Sequence, residues 1–410
     1  MIVDSSALPE QVVADVLNSA FDSAGQRCSA LRVLYIQRDV ADNLLTMLKD
    51  AMAELTVGNP QKISTDVGPV IDKTAQNRLL EHIDALKKTA QSYYQVPICP
   101  ELAQQGTFVA PTLLEIDSIK QLKHEVFGPV LHVIRFDAQQ LPEIMAEINS
   151  TGFGLTSGLH SRIDETVELW LKRIHAGNLY VNRNIVGAVV GVQPFGGMGL
   201  SGTGPKAGGP LYLQRLSWRH QWHLEGLEGS ATTINTTELE TGIRATLSNP
   251  AQQDALNLMQ TLAQQSPLGK VFHMQSITGE KNYLTLEARP LIAIGNGALE
   301  KQIQALIAIV ICGSRAVVEK DSALGKQAQA FGELVQVVSD FNQVDSLSLL
   351  IVLDPISQAQ KQHFAERKGA ILTYIETLEL ALSLLPLVHE KAISINTAAA
   401  GGNASLMAEI

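Results

Sequence analysis

Apolar positions in the first half of the chain follow two periods. Over residues 9–20, Val12, Val13, Val16 and Leu17 fall on one face at helical spacing. Leu31–Ile36 is a short apolar run of the kind a buried strand needs. Residues 41–55 are amphipathic and stop at Gly58-Asn59-Pro60, and residues 74–91 predict another helix. Leu131–Phe136 and Asn178–Val181 predict strands, with a helix over 164–175 between them. Strands and helices that alternate in this way argue for α/β layers.

The pattern shifts in character over residues 219–250, where Glu225 to Thr233 reads as a linker, and then restarts. Residues 290–294 predict a strand, 299–310 a helix, and 316–319 and 348–353 further strands, the last ending in Asp354-Pro355. Strand, helix and parallel strand in this order predict a crossover unit. There is also an internal echo. Lys391 to Thr397 and the Gly-rich 399–403 resemble Gly177 to Arg183 and its own Gly-rich sequel.

At 410 residues, with 45% apolar and 18% charged residues, the chain has the composition of a globular protein of two or three domains. Lys and Arg total 31 against 41 Asp and Glu, a net charge of −10, which speaks against nucleic acid or an anionic membrane as partner. The longest apolar run, Ala305–Cys312, is too short to span a bilayer, and Met1 to Ser6 lacks the flank of a signal peptide. Cys28, Cys99 and Cys312 lie far apart and the ten His show no metal-site spacing. No metal is expected, and the sparse cysteines predict a reducing cytoplasm.

Candidate chemistry begins at Phe21-Asp22-Ser23-Ala24-Gly25-Gln26-Arg27-Cys28-Ser29-Ala30. A lone Cys ends a small, Gly-containing turn ahead of an apolar strand, which suits a thiol at the mouth of a pocket. The neighbouring Arg27 is expected to favour the thiolate. Taken alone, a single Cys is more often an inert buried residue; Cys99 and Cys312 are expected to be structural. The Gly-rich run Gly196 to Gly209 lacks phosphate-loop spacing and reads as a turn-rich structural loop.

Two more motifs follow in order, His124-Glu125-Val126-Phe127-Gly128-Pro129-Val130 and Gln193-Pro194-Phe195-Gly196-Gly197. With the Cys28 motif they resemble the catalytic half of the aldehyde dehydrogenase superfamily. Asn184 to Gly191 and Leu200 to Pro210 look like its glutamate-semialdehyde (1-pyrroline-5-carboxylate) dehydrogenase branch, and the chain resembles the C-terminal part of the long proline utilization A proteins.

The resemblance implies an α/β aldehyde dehydrogenase catalytic-domain fold over residues 1–218 and a linker at 219–233. Residues 234–410 are then a second, Rossmann-like domain related to the same superfamily, lacking the cysteine motif and expected to bind no NAD. It implies that Cys28 forms a thioester and that its N–H serves the oxyanion. Ser29, Gly187 and Ala188 are implied to hold the substrate carboxylate, and Phe195 to flank its aliphatic part. Glu125 is implied to accept the nicotinamide ribose hydroxyls, with Phe127 beside the nicotinamide. The implied substrate is L-glutamate γ-semialdehyde and the implied cofactor NAD; FAD belongs only to a proline dehydrogenase part that these residues do not include.

The family's general-base Glu, its oxyanion Asn and most of its dinucleotide domain precede the Cys, and only 27 residues do so here. The chain therefore reads as a fragment or split product, expected to have little activity in isolation. Its expected partners are an upstream fragment, or a second copy pairing through the Leu211–Ser217 segment as a strand. Two rival readings are a non-catalytic scaffold or lid, and a Cys-dependent hydrolase with a His beside Cys28.

Overall fold

The computed structural model describes residues 1–216, 224–275, 277–376 and 383–398. Two large sheets organise them. In the eleven-stranded sheet, every neighbouring pair is parallel from Val388–Asn396 through Asn178–Val181, Thr156–His160, Ile2–Val3, Val33–Gln37 and Val130–Phe136 to Thr112–Glu115. Ser92–Gln95 closes one edge antiparallel. Glu280–Ala288, Val271–His273 and Leu227–Glu228 extend the other edge antiparallel.

Parallel strands covered on both faces need near-continuous apolar sequence, and Leu34, Ile36, Leu131, Val133 and Leu179 are all fully buried. The helix Pro9–Phe21 starts on a proline, which its first turn tolerates, and buries Val12, Val13, Val16, Ala20 and Phe21. Arg38–Ala53 and Lys73–Lys87 are the next two long helices, the first burying Leu44, Leu45 and Leu48 and the second Gln76, Leu79 and Ile83. The expected elements are present, with ends displaced by a few residues, as helix and strand ends usually are.

The second sheet has five strands, all parallel, in the order Val335–Val338, Arg315–Glu319, Leu291–Ile294, Leu349–Val352, Thr373–Glu376. Counted along the chain this is a doubly wound order that reverses between Leu291–Ile294 and Leu349–Val352. The helix Leu299–Ile311 packs with nearly its whole length buried, which accounts for its unbroken apolar stretch.

The echo has a structural counterpart. The two similar segments lie side by side as parallel strands, Ala392 opposite Asn178 and Ile395 opposite Val181; residues 399–403 lie outside the described residues. The larger sheet therefore runs across the expected division at 219–233, because Glu280–Ala288 and Val388–Asn396 hydrogen-bond into it while the five-stranded sheet is built from the chain between them. Of the expected linker, residues 219–223 lie outside the described residues and Leu227–Glu228 is an edge strand.

Within the Leu211–Ser217 segment, residues 211–216 form no strand. Leu211 is drawn into the second core, and Tyr212–Arg215 closes into one helical turn after Tyr212 N–H bonds the Gly209 carbonyl. Ser217 lies outside the described residues.

Candidate active site

The helix Pro9–Phe21 runs into a tight turn, Asp22–Gly25, before Cys28. Ser23 (φ 55°), Ala24 (φ 53°) and Gly25 (φ 62°) are all left-handed. For the two non-glycine residues this backbone costs on the order of 1 kcal/mol or more each, so surrounding contacts must hold it. Close approach of the second motif supplies them. A Cβ on Gly25 would stand 2.2 Å from the Gly128 carbonyl oxygen, and one on Gly128 would stand 2.4 Å from Leu79 Cδ1. Gly25 thus lets the Cys28 turn touch the Phe127-Gly128-Pro129 segment backbone to backbone, and Gly128 lets that segment pack against Leu79 of the helix Lys73–Lys87.

Arg32 clamps the same two segments. Its Nη1 donates to the Gly25 carbonyl at 2.5 Å and its Nη2 to the Arg27 carbonyl at 2.9 Å. Nε and Nη2 lie 3.3 and 3.2 Å from Glu125 Oε1, and the guanidinium carbon sits 4.7 Å from the centre of the Phe127 ring. Burial lowers the Arg32 pKa, opposed first by Glu125 and then by the charge of Cys28. Arg27 lies on the turn itself, where its Nε donates to Ser23 Oγ at 2.9 Å and its charge acts on Asp22.

Cys28 is exposed and lines a cavity of about 650 Å³ with Arg32, Tyr35, Glu125, His132 and Ile185. The Glu125 side chain is 45% exposed. Ser29 is buried beside Cys28, and Phe127 is exposed with its ring against Arg32. Neither is part of the cavity lining, nor are Gly187, Ala188 and Phe195. The Phe195 backbone is bonded to that of Ala207 in a short antiparallel bridge within the Gly-rich loop. That loop is fastened by Lys206, which is 2% exposed; its ammonium donates to the Gly196 carbonyl and its N–H to Glu390 Oε2 at 2.8 Å. Burial lowers the Lys206 pKa to about 7.

Gly187 and Ala188 belong to a loop that reaches the cavity through Ile185, whose N–H donates to Ser19 Oγ at 3.1 Å. The loop closes at Val189, whose N–H bonds Gln193 Oε1 at 2.9 Å. Between these fixed points the Gly187 and Ala188 N–H groups donate to no acceptor among the described residues. Gly187 has φ +76° and open space where a Cβ would be.

His124 and His132 also line the cavity. His132 Nδ1 bonds the Arg32 carbonyl at 2.9 Å and its Nε2 bonds His82 Nε2 at 2.9 Å. Burial depresses its pKa to about 4. With both ring nitrogens engaged, it offers no base to Cys28, which removes the support a Cys–His hydrolase would need from this ring. Among the described residues no His, Cys, Asp and Glu group is arranged to hold a metal ion, and no helix is long and apolar enough to cross a membrane.

Residues 1–219 match the aldehyde dehydrogenase family. The chain belongs to that family. The bifunctional protein PutA of Escherichia coli is 43% identical over 436 residues, covering 99% of this chain and 32% of the relative. A 1-pyrroline-5-carboxylate dehydrogenase of Geobacillus is 37% identical over 215 residues, covering 52% of this chain and 41% of the relative. Proline utilization A from Corynebacterium freiburgense superposes with a TM-score of 0.70 at 25% identity, over 97% of this chain and 38% of that one. The chain thus spans about a third of the length of the PutA relative. The fold of an aldehyde dehydrogenase, α/β with large parallel sheets, is the fold described above.

Proposed function

We propose that this aldehyde dehydrogenase chain carries the nucleophile and the carboxylate end of the active site of an NAD-dependent L-glutamate γ-semialdehyde dehydrogenase of proline catabolism, acting in the cytoplasm. The observation that carries the reading is that exposed Cys28 and Glu125 share one cavity, with Arg32 tying their two segments together. The names of the relatives, PutA and 1-pyrroline-5-carboxylate dehydrogenase, support the substrate class.

The residues present fit a nicotinamide dinucleotide. Arg32 engages Glu125 through Oε1, and the side chain remains 45% exposed, so the carboxylate still accepts hydroxyl donors. Exposed Phe127 lies two residues along the same segment, its ring against Arg32. When bound, the dinucleotide supplies the hydride acceptor.

The chain's own part is addition and release. Cys28 Sγ attacks the aldehyde carbon, and the new oxyanion meets the Cys28 N–H. The open N–H groups of Gly187 and Ala188, with the Ser29 hydroxyl, receive the substrate carboxylate and fix the aldehyde's distance from Sγ. Phe195 flanks the methylene stem. Water that cleaves the thioester returns the Cys28 thiol and leaves glutamate.

Residues 234–410 are read as non-catalytic and as binding no dinucleotide. Gly295 and Gly297, at the reversal of the second sheet, are taken up by packing: added Cβ atoms would stand 3.1 Å from the Ile351 carbonyl oxygen and 2.9 Å from Leu353 Cβ. The test uses the protein that carries this chain. Cys28→Ser is expected to lower NADH formation from glutamate semialdehyde by at least about 10³-fold, with Cys99→Ser near wild type. An undiminished rate in Cys28→Ser defeats the reading.

A further inference from the structure

We propose that Glu280, far along the chain on the strand Glu280–Ala288, is a positioning residue for the loop that receives the substrate carboxylate; the proposal rests on the reading of Gly187 and Ala188 as that anchor. Glu280 reaches both ends of the loop at once. Its Oε1 accepts from Arg183 Nη1, and its Oε2 accepts from Gln193 Nε2 at 2.8 Å. Asn282 Nδ2 is the third donor to the carboxylate, reaching Oε2 at 3.3 Å. Arg183 and Gln193 bracket the loop in sequence, so one carboxylate ties its two ends together.

The consequence for the loop runs through the Gln193 amide. An ionised carboxylate only accepts hydrogen bonds, so Glu280 fixes the NH2 side of Gln193 toward itself. Asn282 Oδ1, 3.1 Å from the same Nε2, enforces the same choice. The amide oxygen of Gln193 is then forced to face the Val189 N–H, which it accepts at 2.9 Å. Val189 is the residue after Ala188. Gln193 is 4% exposed and Asn282 2% exposed, so no water competes for these partners. Arg183 is held in turn by Ser394 Oγ at 2.9 Å, and Asn396 Nδ2 donates to the Asn182 carbonyl at 3.0 Å.

The loop needs this support because it has little of its own. Gly187 and Ala188 make no backbone hydrogen bond among the described residues, and an unconstrained glycine segment loses much conformational entropy when it is ordered by a ligand. Two strands of the C-terminal part, joined to the edge of the larger sheet, supply the order in advance. Their role in the reaction is to preorganise an anchor whose donors they do not provide.

The test is protection of Cys28 from iodoacetamide by graded L-glutamate, which carries the same carboxylate as the substrate and needs no cofactor. Wild-type protein is expected to be protected. Glu280→Ala is expected to raise the half-protecting concentration about tenfold, with the unprotected alkylation rate of Cys28 unchanged. The near-isosteric Glu280→Gln should behave almost as badly, because its NH2 faces a donor. A half-protecting concentration that does not move in either variant overturns the positioning role. So does an unprotected rate that changes by the same factor, since that marks general loss of structure. A wild-type Cys28 that glutamate does not protect overturns the anchor reading and this proposal with it.

Discussion

The Cys28 turn and the Gly295–Gly297 turn both belong to open, largely parallel sheets of one chain, and they differ in what fills the space beside them. The Cys28 turn is forced into three left-handed residues and ends in an exposed thiol on a cavity of about 650 Å³. The Gly295–Gly297 turn lies where a doubly wound sheet ordinarily takes a ligand, but its glycines admit the neighbouring strand instead. Asn296 bonds Glu319, and Gln302 bonds the Gly295 carbonyl at 2.8 Å. The cysteines repeat the contrast. Cys28 is exposed, while Cys312 caps the helix Leu299–Ile311 at 0% exposure, and burial pushes its thiol up to about 12. Topology offers a position; packing decides whether chemistry can use it.

The largest expected difference between the two regions is in thiol reactivity. At pH 8 a thiol with a pKa of about 12 is thiolate to only about one part in 10⁴. Cys28 is therefore expected to alkylate at least about 10³-fold faster than Cys312 in the folded protein, counted by peptide mapping. Comparable rates would break the comparison.

Backbone strain should divide the turns next. Gly25→Ala places a Cβ 2.2 Å from a carbonyl oxygen at positive φ, and is expected to cost about 2–4 kcal/mol in urea unfolding. Gly295→Ala meets its nearest atom at 3.1 Å and should cost about 1 kcal/mol. Equal costs would mean the Cys28 turn is not held by the contact with Gly128.

A smaller effect separates the two arginines near the thiol. Arg32→Gln is expected to slow Cys28 alkylation about tenfold, because it removes the clamp on the Gly25 and Arg27 carbonyls that holds the Cys28 turn. Arg27→Gln should change it by less than about twofold, since that side chain serves Ser23 and Asp22. The reverse ranking would support the sequence-based expectation for Arg27.

The smallest effect is on pH-dependent stability. The folded protein keeps the Cys312 proton to about pH 12, while the unfolded chain releases it near its ordinary 9.0. The stabilisation is complete below pH 9 and is lost as pH rises toward 12. At pH 9.5 the loss is about 1 kcal/mol, and it should vanish from the pH profile of Cys312→Ala.

Much of this was legible in sequence for physical reasons. Buried parallel strands need apolar runs, so Leu131–Phe136 and Asn178–Val181 were visible, as was the helix Pro9–Phe21 from its 3.6-residue stripe. The strand Glu280–Ala288 buries Asn282, Leu284 and Leu286 on one face. The period was there, but a polar residue in the buried set hid it. Cys28 and Glu125 stood out because a reactive group must sit in an unusual local sequence. Arg32 did not, because it looks like one polar interruption of an apolar strand. Gln193 and Glu280 were invisible as partners: 87 residues separate them, and only strand pairing at the sheet edge brings them together.

The most direct measurement is to identify the residue that the substrate acylates. The protein that carries this chain would be mixed with glutamate semialdehyde and NAD, quenched in acid during turnover, digested and mapped by mass spectrometry. The account predicts a glutamyl thioester on the Cys28 peptide and unmodified Cys99 and Cys312. Turnover with an unmodified Cys28 peptide, or with the acyl group on another residue, would contradict it.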